Sequence, residues 1–570
     1  MFDGKAFSRC VIWLAQTRTE GPDMSDFAAA AEAILRARLR DDPVRATWTG
    51  LHDYDTEMPD VTADGIEHLK TALASNIATL EAFSLGDLSR DERTDRSLLM
   101  SELEVELREL NELQPYQHDP SLYPSLAADA VYSVLAREFA PLRDRLPSVV
   151  ARMEKIPAML ETAKRTLTRS PRVWTDIAVE ETEAAIEFFN DSVAPLFHEL
   201  RSSAVLGTQA RDAMRDTLAA LTDYRNFLER THAQRDGMQF AIGRELFDYK
   251  LTHEHFLPYT AQSLLEFGEE AVRLTEFRLQ EVAHVIERQT DWPVLLERLR
   301  SEALPDSEDL VSLYRNSLGR ARDFVVKAGL VSMPEGEILE VVATPLFQRP
   351  TTPYAAYMAP GAFDARQLGL YYVTPIDAHA SPQAQREQLL GHNLLAMQLT
   401  NVHEGYPGHH LQLVIANRAP SLVRRLHDST VFAEGWALYC EQLVLDEGMD
   451  PDPRMRLFQL KDQLWRACRV VIDVKLHTGA MTFDQAVDML VNVAKLERVN
   501  AVGEVRRYTQ SPTQPMSYLV GKQQIMDLRE RERARLGGAF ELRSFHDRLL
   551  AQGTIPVALI APTLANESEG

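Results

Sequence analysis

Residues 401–412 read NVHEGYPGHHLQ, and no straight helix satisfies their spacing. His403 and Glu404 are adjacent, Gly405-Tyr406-Pro407-Gly408 follows, and His409 and His410 close the segment. Two imidazoles around a carboxylate suit a divalent ion such as zinc. A regular helix would set His403 and His409 roughly 9 Å apart along its axis and on different faces, and would put His403 and His410 on one face but about 10.5 Å apart. Nitrogens that each sit about 2.0 to 2.1 Å from one zinc cannot be so far apart. The helix is therefore expected to break between them, and Gly405, Pro407 and Gly408 are residues that permit a bulge or kink.

A third ligand is expected from a neighbouring helix in VFAEGWALYCEQ, residues 431–442. Glu434 is far enough along the chain for the motif helix to end, a loop to turn near Arg418 and Pro420, and a second helix to run back. Glu441 lies on the same face about two turns on, placed to hold a ligating imidazole by its other nitrogen. The His-Glu…His order resembles the HExxH arrangement of zinc peptidases, in which the Glu is general base. Gly408 before His409 favours His409 as the second ligand, leaving His410 a supporting or substrate-contacting role; the choice between them stays open at this point. His403, His409 and Glu434 with an open fourth position form a catalytic rather than a closed structural set.

Outward from the motif, helical periodicity dominates. Leu99, Leu103, Leu107 and Leu110 make one apolar stripe, and Leu265, Val272, Leu279, Val282 and Ile286 make another; both read as core packing. Residues 179–197 read as a helix ending near Pro195. Near Pro334 the character changes: ILEVVATPLF (338–347), YAAYM (354–358) and GLYYVT (369–374) predict a small sheet within about 337–375. Pro345 and Pro353 demote the first two segments to edge strands, which either cap the helices or take an extended peptide by strand addition. Residues 1–24 read as a loose tail, 25–560 as one catalytic domain, and 561–570 as a frayed end.

The chain has 570 residues, 61 Lys+Arg against 84 Asp+Glu and a net charge of −23, with 45% apolar and 25% charged residues. That composition is globular. The acid excess argues against nucleic acid and anionic membranes as partners. Three cysteines without a CxxC pair point to a reducing compartment, the cytoplasm by default. Phosphate loops, dinucleotide fingerprints and nucleophile elbows do not occur in the sequence.

HEGYPGHH at 403–410, EGWALY at 434–439, and YLVGK at 518–522 followed by LRE at 528–530 resemble the hallmarks of the bacterial domain-of-unknown-function family 885. The likeness runs over roughly residues 26–553. That family is similar in fold to the thermostable carboxypeptidase Taq type of zinc metallopeptidase, which implies a mainly α, two-lobed helical body with a deep cleft and a small β-sheet. It also implies zinc hydrolase chemistry, with one Zn2+ per chain. Arg469, Asp473 and His477 share a helix face at spacings of four, either as a surface ion-pair ladder or, as the resemblance suggests, with Asp473 orienting a neighbour and His477 touching substrate. Tyr518 starts a helix after a Pro-rich loop and either donates to an oxyanion or is a buried aromatic. Arg506, Arg507 and Lys522 are candidate anchors for a substrate carboxylate.

The expected function is zinc-dependent hydrolysis of an amide bond in short peptides or peptide-like small molecules, carboxypeptidase-like by analogy. Glu404 is the general base, with Tyr518 or His477 stabilising the oxyanion. Alternatives are a metal-dependent amidase or deacylase of a specialised metabolite, and a non-catalytic helical binding protein.

Overall fold

The computed structural model describes residues 25–235, 237–301, 309–344, 355–376 and 392–566, with positions 381, 383, 385 and 389. The tail expected over 1–24, Pro345 and Pro353 lie outside the described residues. The fold is mainly α with one small sheet, as the periodicity implies.

The helices begin where the sequence supplies caps. Arg90–Glu112 opens on a capping box between Ser89 and Glu92 and buries Leu99 and Leu103 completely. Ala261–Ile286 opens on Thr260 and Ser263 and buries Leu264 and Leu279. The helix expected over 179–197 differs from the one observed. An α-helix spans Arg172–Glu187, then loosens into a π turn at Phe188–Val193 and tightens into a 3-10 segment at Ala194–Ser202. Pro195 has no N–H to continue the α ladder.

Strands Ile338–Ala343 (β1), Ala355–Met358 (β2) and Leu368–Val373 (β3) form a sheet of order β1-β3-β2. β1 runs parallel to β3 with Val341 opposite Tyr371, and β2 runs antiparallel to it with Tyr357 opposite Tyr371. The segments beside Pro345 and Pro353 are thus the two edges. The C-terminal helix Val557–Asn566 buries Ile560 and Leu564, so the fraying expected from 561 is corrected: apolar burial carries order to Asn566.

Two close helix pairs frame the motif. The long helix Pro453–His477 packs on Ala261–Ile286, with Gly268 facing Val470 and Val471. Thr430–Asp446 packs on Ser517–Leu536 with backbones in contact: a Cβ on Gly435 would sit 2.5 Å from Gly521 Cα, and one on Gly521 would sit 1.8 Å from Val431 O. No helix among the described residues is long and apolar enough to cross a membrane.

Gly521→Ala is expected to destabilise by at least about 1–3 kcal/mol through overpacking. Gly503, where an added Cβ would meet nothing within 4 Å, should accept Ala with a gain of about 0.4–1 kcal/mol. Urea unfolding midpoints of the two variants provide the comparison.

Candidate metal centre

The motif helix Leu394–Glu404 stops after Glu404 and a new helix starts at His409. Between them the chain folds back on itself. Gly408 N–H donates to Val402 O at 3.1 Å, and a Cβ at Gly408 would lie 1.8 Å from His403 O. Gly405 is confined as well, since its Cβ would meet Leu318 Cδ2 at 2.3 Å. The Tyr406–Pro407 peptide is cis. Trp436, from EGWALY, donates its indole N–H to Pro407 O at 2.8 Å and fixes the turn from the adjacent helix. Only glycines fit so close a backbone approach.

This reversal brings the imidazole rings of His403 and His409 to a centroid separation of 4.8 Å, nearly perpendicular. Glu434 Oε2 lies 3.6 Å from His403 Nε2 and 3.3 Å from His409 Nε2. Ligand atoms of these three residues all lie within 4.8 Å of one another. Donors bound tetrahedrally to one zinc sit roughly 3.3–3.4 Å apart, close to the 3.3 and 3.6 Å that separate Glu434 from the two imidazoles. Glu434 Oε2 is also a buried oxygen without a well-formed hydrogen bond, which a cation would satisfy. The residues present therefore fit a divalent ion.

Glu441 Oε1 is 2.8 Å from His403 Nδ1. With the proton on Nδ1 donated to this carboxylate, the Nε2 lone pair is left facing Glu434. Burial alone would push His403 down, but Glu434 and Glu441 hold it well above the usual imidazole range. Burial would raise Glu434, yet the two imidazoles hold it well below the usual carboxylate range. Behind Glu441, the buried Lys522 donates to Gln463 Oε1 at 2.5 Å and is pushed down to about 7 by burial. That enclosure removes Lys522 from the candidate carboxylate anchors.

The structure separates the two adjacent histidines. His409 faces Glu434, whereas His410 is fully buried with both nitrogens occupied: Nε2 is 2.9 Å from Glu337 Oε2 and Nδ1 is 3.1 Å from Tyr357 Oη. Glu337 also accepts from Tyr406 Oη at 2.7 Å and from Arg322 at 3.0 Å. His410 thus braces the turn from a fully buried position. Sequence reasoning missed Glu337, one of three acidic residues (Glu335, Glu337, Glu340) around the start of β1 with no motif to single it out.

Glu404 ends the motif helix, half-buried, and its charge reaches His403 and Tyr357. Tyr518 stacks its ring on His403 with centroids 6.3 Å apart and planes at 19°. Its approach is set by Asp473, whose two oxygens accept from Thr513 N at 3.0 Å and Met516 N at 3.1 Å. Burial pushes Asp473 up to about 7. His255 Nε2 bonds Thr513 Oγ1 at 2.8 Å, and Thr513 holds a left-handed φ of 70° in this loop.

Three expectations are corrected. His477, expected to touch substrate or stabilise the oxyanion, is fully buried instead: its Nε2–H donates to Tyr508 O at 2.9 Å, and its ring stacks on Phe247. Arg506 is turned away to Glu180, and Arg507 pairs with Glu504. The cations beside Tyr518 are instead Arg469 and Arg466, with Cζ 4.6 and 5.5 Å from its ring centroid.

Comparison with known proteins adds a family and a fold. The sequence profile of the family described as "Bacterial protein of unknown function (DUF885)" matches residues 43–564. A solved protein from Shewanella oneidensis, named "putative lipoprotein of unknown function", is 26% identical with a TM-score of 0.80, covering 95% of this chain and 100% of that one. A "putative lipoprotein" from Colwellia psychrerythraea is 18% identical with a TM-score of 0.80, covering 95% and 98%; at that identity it speaks for the fold alone. No curated protein sequence matches at a significant level.

Alanine at His403, His409 or Glu434 is expected to abolish binding of one zinc per chain, while His410→Ala retains it. Gly408→Ala should lose zinc as fully as a ligand variant. Metal analysis after dialysis checks both, and zinc at about 100 times its Kd should stabilise only the binding-competent variants by about 2.7 kcal/mol.

Proposed function

The chain belongs to the bacterial family DUF885, and on that footing we propose that it is a zinc-dependent hydrolase cleaving an amide bond in short peptides or peptide-like small molecules. The reading includes the likeness to zinc carboxypeptidases of the Taq type. Its main support is the convergence of His403, His409 and Glu434 donor atoms within 4.8 Å, with Glu404 next to a ligand in the chain. A closed structural site has no use for a free carboxylate at that position.

His403, His409 and Glu434 would hold a zinc ion, which would supply Lewis acidity toward water and a carbonyl. The protein's residues do the rest. Glu404 takes a proton from the attacking water and returns it to the leaving nitrogen, the task of a general base turned general acid. Tyr518, stacked on His403, donates a hydrogen bond to the developing oxyanion. Glu441 keeps His403 in one tautomer and orientation. Asp473 fixes the loop that delivers Tyr518.

β2 favours an extended peptide over a compact metabolite. It is an edge strand of the sheet beside the triad, the kind of element to which an extended peptide adds. The buried free thiols Cys440 and Cys468 fit a reducing compartment, and the cytoplasm is proposed as the site of action.

Glu404→Gln is expected to lower kcat by about 10²–10⁴ or more with zinc content unchanged. Digestion of a peptide library read by mass, beside a panel of N-acyl amino acids, measures the activity and separates peptidase from deacylase. Undiminished turnover in the variant would remove Glu404 from the mechanism.

A further inference from the structure

A cavity of about 300 Å³ lies between the helix Leu310–Ala328 and the outer edge of β1. Arg315, Leu318, Gly319 and Arg322 form its helical wall, and their spacing places them on one face. Leu339 and Val341 line it from β1, and Glu337 and Tyr406 line it beside Arg322. His403, Glu404, His409, Glu434 and Tyr518 are not among its lining residues, so it is separate from the candidate centre. Gly319 gives the cavity its depth, since an added Cβ there would meet nothing within 4 Å. Arg315 and Arg322 stand about two turns, or roughly 10.5 Å, apart along the axis. Both are exposed, so the space is open to solvent.

The lining combines an apolar floor with one spare cation. Leu318 and Val341 are buried, and Leu339 is half-buried. Arg322 is committed: Nε and Nη2 donate to Glu337 Oε1 at 3.1 and 3.0 Å, and Cζ lies 5.9 Å from the Tyr406 ring centroid. Arg315 donates from Nη2 to Val341 O at 2.9 Å and forms no ion pair with a carboxylate among the described residues. Backbone donors stand on the same wall. Ile338 N and Thr344 N donate toward the β3 side, so the alternation of the parallel ladder turns the N–H groups of Leu339 and Val341 to the free edge. A floor of leucine and valine beside a guanidinium without an acid suits an anion of single charge with an apolar body.

The same residues hold the metal turn. Leu318 and Leu339 press on Gly405, where an added Cβ would lie 2.3 and 3.4 Å from their Cδ2 atoms. Tyr406 Oη donates to Glu337, which also binds His410. A molecule seated against Leu318, Leu339 and Tyr406 therefore has its full contacts only while the turn is folded back. That is the conformation in which the His403 and His409 rings lie 4.8 Å apart. Two ligands that favour one conformation strengthen each other's binding, each by the same factor.

We propose that this cavity is a second ligand site, for a small monocarboxylate with an aryl or branched apolar body, and that its occupation strengthens zinc binding at the triad. The carboxylate pairs with Arg315, and the body lies over Gly319 toward Tyr406. The bound acid is an effector and is not cleaved. The site stands on the cavity itself, whereas the coupling rests on the zinc centre of the reading above.

Calorimetric titration of the metal-free protein with phenylacetate, phenylacetamide and acetate tests the site. Phenylacetate is expected to bind about tenfold or more tighter than either, the amide lacking the charge and acetate the apolar body. Arg315→Gln should erase the preference for acid over amide, and Gly319→Leu, which fills the slot, should abolish binding of all three. No binding of phenylacetate, equal binding of acid and amide, or binding untouched by both variants would overturn the site. Zinc affinity, measured by competition with a chromophoric chelator, tests the coupling. Saturating phenylacetate should tighten zinc about 5- to 10-fold in wild type and leave it unchanged in Gly319→Leu. An unchanged zinc affinity in wild type, or equal tightening in Gly319→Leu by acid bound at the metal itself, would overturn the coupling. Wild type that binds phenylacetate but takes up no zinc supports the site and removes the zinc centre together with the coupling.

Discussion

Everything at the centre depends on the contact of Gly408 with the backbone of the helix it has just left. Gly408 N–H returns to Val402 O, and there is no room for a Cβ against His403 O. Without that fold-back the two histidines would be about 9 Å apart along a helix axis. With it their rings are 4.8 Å apart. The interruption is costly in backbone hydrogen bonds, and the protein compensates from outside. Trp436 satisfies Pro407 O from the next helix, while Glu337 binds Tyr406 and His410 on both sides of the turn. The sheet thereby stabilises the site as well as capping the helices, since Tyr357 on β2 completes the bonding of His410.

The electrostatics follow from the same enclosure. Glu434 and Glu441 are withdrawn from water and bracket His403, each lying by a different nitrogen. Burial penalises the charges, and their mutual attraction outweighs it. A divalent cation held by His403, His409 and Glu434 would supply positive charge between these groups in place of a proton. Lys522 sits behind Glu441, and burial weakens its charge toward the neutral form. It therefore competes little with His403 for that carboxylate.

Features set by neighbouring residues were legible in the sequence. The break at Gly405–Gly408 followed from the failure of the His403–His409 spacing on a straight helix, and the pairing of Glu434 with Glu441 on one face followed from their separation by seven. The edge positions of β1 and β2 followed from Pro345 and Pro353. Features set by partners far along the chain were not. Glu337 meets His410 across 73 positions and Lys522 meets Gln463 across 59, with no local pattern to signal either. The face shared by Arg469, Asp473 and His477 was real, but which end of it meets the centre depends on packing against the helix Ala261–Ile286. Hence His477 went to a buried carbonyl, while Arg466, one turn nearer the other end, came beneath Tyr518.

Anomalous diffraction at the zinc edge, from crystals of the zinc-loaded protein, tests the central claim most directly. The account predicts one strong peak per chain, about 2.0–2.2 Å from His403 Nε2, His409 Nε2 and a Glu434 carboxylate oxygen, with His410 still bonded to Glu337. A peak ligated by His410, or no peak between the broken helix and Glu434, would contradict it.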